Sequence, residues 1–253
     1  MIIEVKNLSY KAGEKTILSD INFSLKAGGF YIVLGRNGSG KTTLLKSLSK
    51  SIIIEDKKVF INNEDINNYS PKRLAKQLSI VPQHTEFLFD FSAFQIVMMG
   101  RMPYQKLLQT DSSKDFEIVK ESMQSTNTWH LRNQSIKQLS GGELQRVIIA
   151  RALTQKTPII LLDEPISNLD IKHQFEIMEL LKKINNERQT TIFLILHDLN
   201  LAYKYGDEIL IMESGKLKLF GDKQDILNTQ NIEDIFKVNA NIVDNSYINI
   251  TKI

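Results

Sequence analysis

Gly35-Arg36-Asn37-Gly38-Ser39-Gly40-Lys41-Thr42 sets three glycines beside a lysine and a hydroxyl, a combination suited to holding an oxyanion. Glycines let a backbone turn tightly enough for several N–H groups to point at one centre, and a helix starting at Lys41 adds the positive end of its dipole. Lys41 can then neutralise phosphate charge, and the Thr42 hydroxyl can reach a divalent cation. A second group, Ile159-Ile160-Leu161-Leu162-Asp163-Glu164, ends an apolar run in two carboxylates. Near a core such acids require cations or polar partners. A metal suits Asp163, and a water to be deprotonated suits Glu164.

The surrounding pattern supplies the elements these groups need. Phe30 to Leu34 is continuously apolar, as in a strand buried on both faces, and it leads through the glycine-rich turn into a helix predicted from about Lys41 to Ser49. Strand, loop and helix in that order are the context of the P-loop pattern G-x-x-x-x-G-K-[ST]. The carboxylate pair likewise ends a predicted strand, Ile159 to Asp163, and ligands of open α/β sheets collect at such carboxyl ends. Before the loop, short alternating runs broken at Lys11-Ala-Gly-Glu and Lys26-Ala-Gly-Gly predict antiparallel strands. Ser70-Pro71 predicts a helix start running to about Gln77, followed by a short strand from Ser79 to Pro82.

Between Phe87 and Gln138 the strand-like runs stop, and helical spacing prevails around Ala93 to Met99 and Lys114 to Gln124. A helix from about Gly142 to Thr154, the strand to Asp163, a helix from about Ile171 to Asn186 and a strand from Thr191 to Leu196 follow. Their alternation predicts a parallel sheet with helices on both faces. Glu208 to Phe220 reads as a hairpin turning at Ser214-Gly215. The asparagine-rich tail after Lys237 carries no clear pattern.

Leu139-Ser140-Gly141-Gly142-Glu143-Leu144-Gln145-Arg146 resembles the signature sequence of ATP-binding-cassette (ABC) ATPases. Its serine and glycines at a helix start make a second anion-binding site, which in that family meets the γ-phosphate held by the opposite subunit. The resemblance implies a P-loop NTPase (RecA-like) α/β core with a mixed sheet, an N-terminal antiparallel β subdomain and an inserted α-helical subdomain. All 253 residues then form one ATPase domain: core 1–86 and 155–225, helical part 87–154, C-terminal extension 226–253. It implies ATP and Mg²⁺, with the nucleotide held by Gly35, Arg36, Asn37, Gly38, Ser39, Gly40, Lys41, Thr42 and Thr43. Ser140, Gly141, Gly142 and Glu143 would cap the nucleotide of a twin.

Further positions match the family one by one. Tyr10 resembles the aromatic that stacks on adenine, and Gln83 the Q-loop glutamine that touches metal or water. Thr42, Gln83 and Asp163 are the implied metal positions; Lys41, Gln83, Glu164 and His197 the implied catalytic ones, His197 as the switch histidine on the γ-phosphate. Ser167-Asn168-Leu169-Asp170 resembles the D-loop that crosses the dimer interface, with asparagine where alanine is usual, and Ile166 stands where threonine is usual. Asp198 reads as a helix cap, and His84, His130 and His173 as structural or surface residues, because no ligand spacing links them.

Val97-Met-Met-Gly100-Arg101-Met-Pro103-Tyr104 and His197-Asp-Leu-Asn-Leu-Ala202 are similar to the ATPases that drive import of ferric siderophores, haem and cobalamin. That branch implies integral membrane permease subunits, an extracytoplasmic substrate-binding protein and a peripheral place on the cytoplasmic face of the cell (inner) membrane. One set of motifs implies a homodimer or pairing with a second ATPase. A soluble ABC ATPase of iron–sulfur cluster assembly and a nucleotide-switched module without hydrolysis are the competing readings.

Composition agrees without selecting among these. Apolar residues at 42% and charged residues at 24% are those of a globular protein, and the absence of cysteine excludes disulfides and thiolate metal sites. A net charge of +3 gives no indication of nucleic acid. No apolar run reaches the roughly 20 residues of a spanning helix, so membrane association is expected to go through a partner.

Overall fold

The alternating N-terminal run folds as β1 (Ile3–Ala12) and β2 (Lys15–Leu25), paired antiparallel with Ala12 opposite Lys15. In the computed structural model, which describes residues 1–105, 112–243 and 247–251, the chain divides into two units. One comprises Met1–Tyr69 and Lys182–Ile253, the other Ser70–Leu181.

In the first unit β2 leads to β3 (Phe30–Gly35), every residue of which is buried, and then to α1 (Lys41–Leu48). β4 (Val59–Ile61) and β5 (Glu64–Asp65) extend the first hairpin into an antiparallel sheet of order β2-β1-β4-β5. This short pair is too brief to give a period in the sequence, and it is what completes the N-terminal β subdomain.

The second unit opens with α2 (Pro71–Leu74), capped by Ser70, whose hydroxyl accepts from the Arg73 N–H. The helix predicted to Gln77 stops at Leu74. Beyond it Lys76 N–H bonds Arg73 O and Gln77 N–H bonds Leu74 O, the tighter three-residue spacing common at helix ends. β6 (Leu78–Val81) follows, then α3 (Ala93–Met98), α4 (Ser113–Ser125), α5 (Gly141–Thr154) and β7 (Ile159–Asp163), which pairs parallel with β6. α3, α4 and α5 pack together into the predicted helical region.

That region is pinned by a buried arginine. Arg101 donates through Nε to Asp115 at 2.8 Å and through Nη1 to Thr154 O at 2.6 Å, and its guanidinium lies 4.0 Å from the Tyr104 ring centroid. The Gly100-Arg101-Met-Pro103-Tyr104 sequence thus ties the segment after α3 to both α4 and α5.

α6 (Ile171–Arg188) returns the chain to the first unit, where β8 (Thr191–Ile195), α7 (Leu199–Tyr205), β9 (Glu208–Glu213) and β10 (Lys216–Asp222) follow. β3 runs parallel to both β8 and β9, and β10 closes antiparallel on β9 around Ser214 and Gly215, both at positive φ. This is the predicted mixed sheet and hairpin. Phe23 of β2 stacks on Phe193 of β8 at 6.3 Å and meets Phe220 of β10 edge-on, so the antiparallel sheet and the mixed sheet share one core. α8 (Lys223–Ile226), α9 (Thr229–Phe236), β11 (Asn239–Val243) and β12 (Tyr247–Thr251) finish the chain. The tail left without a pattern is therefore a hairpin, with Asn241 opposite Asn249 and Ile242 opposite Ile248.

Candidate active site

In the first unit the glycine-rich loop spans the gap between buried β3 and α1. Gly35 has φ +148°, and a Cβ there would lie 2.3 Å from Met212 O and 2.8 Å from Ser39 Oγ, so only glycine fits. Gly38 and Gly40 also have positive φ, and the helix N-cap is Gly40, which has no side chain to occupy the N-terminus. Lys41 is 5% exposed, with Nζ donating to Gly35 O at 2.8 Å and Arg36 O at 3.1 Å. Its ammonium is folded back onto the loop's own carbonyls. The buried Ser39 Oγ has no hydrogen-bond partner, a polar atom left facing the interior of the loop. Arg36, Asn37 and Gly38 are exposed, and Thr42 and Thr43 half-buried.

The sheet sets the loop's neighbours. Val33 of β3 lies opposite Ile195 of β8, and Leu196 N–H bonds Val33 O. Gly35 and His197, each two residues beyond that pair, therefore leave the same edge side by side. His197 is exposed there, while Asp198 caps α7 through the Leu201 N–H at 2.8 Å, as predicted. Tyr10 is half-buried and pairs with Leu18; the side chain of Leu18 borders Gly40. The structure thus brings Tyr10, the loop and His197 to one end of the first unit.

The second unit holds the carboxylates. Asp163 ends β7 at 6% exposure. Glu164 follows with φ +47°, a left-handed conformation costing a non-glycine residue about 1–2 kcal/mol. Such strain turns its carboxylate out of the strand direction to meet Gln83, whose Nε2 donates to Glu164 Oε2 at 2.7 Å. Gln83 lies just past β6, the neighbour of β7, so parallel pairing delivers both residues to one edge. A cleft of about 190 Å³ opens there, lined by Gln83, Glu164, Gly141, Gln145 and Asn168 among others.

The signature segment begins α5. Ser140 is the N-cap in a full capping box: Glu143 N–H donates to Ser140 Oγ, and Ser140 N–H and Oγ donate to Glu143 Oε2 at 2.8 and 2.7 Å. The Ser140 hydroxyl, then its N–H, hold the Glu143 carboxyl below the usual range. The D-loop is knit as tightly. Ser167 Oγ donates to Glu164 O, and Gln174 Nε2 to Leu169 O and Ile166 O. Asp170 accepts from His173 N–H at 2.9 Å and lies 2.9 Å from His173 Nδ1. His173, expected as a structural or surface residue, packs here as part of this joint, and Gln174 was not singled out; the available signal was an Asp-x-x-His spacing across a helix start, the geometry of a side-chain cap.

The ABC transporter family model matches residues 18–167. The petrobactin import ATP-binding protein FpuD of Bacillus anthracis is 35% identical over 95% of this chain and 88% of its own length. The ferric enterobactin transport ATP-binding protein FepC of Escherichia coli is 35% identical over 94% of this chain and 88% of its own. Among solved structures, the dimeric ATP-binding cassette MJ0796 in a post-hydrolysis state with ADP and Pi superposes with a TM-score of 0.75. It shares 30% identity, covering 88% of this chain and 99% of that one. With a family model over more than half of its length and two relatives at 35% identity over nearly all of it, the chain belongs to the ABC transporter family of ATP-binding proteins.

Proposed function

We propose that the chain is the ATP-binding and ATP-hydrolysing subunit of an importer, working as a homodimer that energises uptake of a ferric siderophore through integral membrane permeases. The observation that carries the ATPase reading is the loop from Gly35 to Thr42 with Lys41 buried beneath it, its donors already aimed at oxygen. Lys41 and the backbone N–H groups from Gly38 to Thr43 would hold the phosphates, Arg36 and Asn37 would border them, and Tyr10 would stack on the adenine. Glu164, oriented by Gln83, would take the proton of the attacking water, and His197 would donate to the γ-phosphate.

Thr42, Gln83 and Asp163 offer oxygen donors only, the set that Mg²⁺ prefers, and Gln83 turns its amide nitrogen to Glu164, keeping the oxygen as its acceptor end. Among the described residues no cluster of three or more His, Cys, Asp or Glu forms a metal cage. When bound, Mg²⁺ neutralises charge developing on the phosphate oxygens. Ser140, Gly141, Gly142 and Glu143 of one copy would cap the nucleotide of the other.

The subunit would be held at the cytoplasmic face of the inner membrane by permeases and supplied by an extracytoplasmic binding protein; no helix among the described residues is long and apolar enough to cross a membrane. The cargo reading is supported by the relatives named for petrobactin and ferric enterobactin. Its test is uptake of radiolabelled ferric siderophore, haem and cobalamin by a strain deleted for the gene. Loss of siderophore uptake alone, restored by the wild-type gene but not by Glu164→Gln, is expected. Loss confined to haem or cobalamin would replace the cargo, and unaltered uptake of all three would refute an importer role.

A further inference from the structure

We propose that His173 is a positioning residue that locks the signature loop, Ser140 to Gly142, onto the D-loop, Ser167 to Asp170, so that both move as one piece. This rests on the reading of the chain as an ATP-sandwiching dimer, because it assigns a role to the two segments that would face the partner copy.

Two contacts carry it. Asp170 fixes the imidazole, accepting from the His173 N–H and lying 2.9 Å from Nδ1 through either oxygen. The ring's other edge rests on the signature helix: a Cβ built on Gly142 would come 3.1 Å from His173 Cδ2 and 3.2 Å from Cγ. Gly142 is buried and helical, so its backbone conformation does not require glycine; the imidazole occupies the room a methyl group would need.

The neighbouring contacts serve the same joint. Leu169 Cδ2 lies 3.8 Å from where a Cβ on Gly141 would sit, Gln174 holds the carbonyls of Leu169 in the D-loop and of Ile166 just before it, and Arg146 of α5 pairs with Glu176 of α6 at 2.9 Å. Glu164 joins the assembly through its carbonyl, which accepts from Ser167 Oγ at 3.1 Å. A shift of the D-loop would thus reach the signature glycines through His173, without passing through the chain between residues 142 and 167.

The experiment uses the Glu164→Gln chain, in which ATP should drive dimerisation without turnover, followed by sedimentation against ATP concentration. Adding His173→Ala should raise the ATP concentration for half-dimerisation about tenfold. Fluorescent ATP binding to the monomer should stay unchanged, since the phosphate loop is untouched. In the otherwise wild-type chain the same change should lower kcat more than it raises KM. His173→Asn, which keeps a donor for Asp170, should recover part of the loss. His173→Phe, which keeps the ring over Gly142, should recover another part, and these two variants carry the test if the alanine variant unfolds. A dimerisation midpoint unmoved by all three changes would overturn the role of His173 alone. Failure of Glu164→Gln itself to dimerise with ATP would overturn the sandwich reading, and this inference with it.

Discussion

Gln83 and Glu164, 81 positions apart, are joined by a 2.7 Å hydrogen bond from the amide nitrogen to the carboxylate. The bond fixes the orientation of the carboxylate proposed as the base. It also couples the base to the segment following β6. Gln83→Ala should lower turnover about 10- to 100-fold, the range of one hydrogen bond to a charged group, while leaving ATP affinity within about twofold. Steady-state phosphate release beside equilibrium nucleotide binding separates the two effects.

Lys41 donates to two loop carbonyls and is nearly sealed from solvent. Lys41→Ala removes both donors and the charge that would meet the phosphates. Equilibrium binding of fluorescent ATP should weaken by about 10- to 100-fold. Affinity equal to wild type would argue that the loop does not hold the triphosphate.

Asp115 accepts from Arg101 inside the helical region, where both side chains are largely buried. Its carboxyl is held below the usual range, first by the Ser112 hydroxyl and then by Arg101. A depressed folded-state pKa means that the pair stabilises fully above the ordinary aspartate range and is lost as pH falls through the lowered value. Asp115→Ala strands the guanidinium and should cost about 3 kcal/mol at neutral pH. Denaturant unfolding at pH 7 and at pH 3 should show the gap between variant and wild type narrowing in acid. A gap constant with pH would assign the cost to packing instead.

Glu143 places a carboxylate in the first turn of the signature helix, bonded to the Ser140 hydroxyl that is proposed to meet the partner's γ-phosphate. A serine hydroxyl has one proton, and here it points at Glu143. Glu143→Gln keeps an acceptor for Ser140 while removing the negative charge. ATP-driven dimerisation in the Glu164→Gln background should tighten about three- to fivefold, and helix stability should fall by about 0.5 kcal/mol with the lost dipole interaction. Sedimentation and thermal unfolding measure the two separately; weaker dimerisation would mean that the carboxylate itself supports the interface.

Much of this was legible beforehand because its causes are local. The apolar run of β3, the glycines after it and the Lys41 helix start are each dictated by side-chain type and neighbouring positions, and so are the Ser214-Gly215 turn and the Ser140 cap. β4 and β5 escaped because a strand of two or three residues shows no period. The helix expected to Gln77 shortened because end turns tighten for lack of further partners. Among the described residues β11 and β12 pair only with each other, a hairpin tied to the body of the unit by Asn200 of α7, which bonds both the N–H and the carbonyl of Ile248.

The sequence alone determined which groups are present and proposed to grip phosphate and activate water, since glycine, lysine and paired carboxylates at those spacings suit that chemistry. Only the tertiary structure decided how they are held: Gln83 on Glu164 and His173 against Gly142. Those relations join residues through the ends of strands and the faces of helices. Hydrogen-bond direction and side-chain contact across such distances depend on register and packing, which no local pattern of residues encodes.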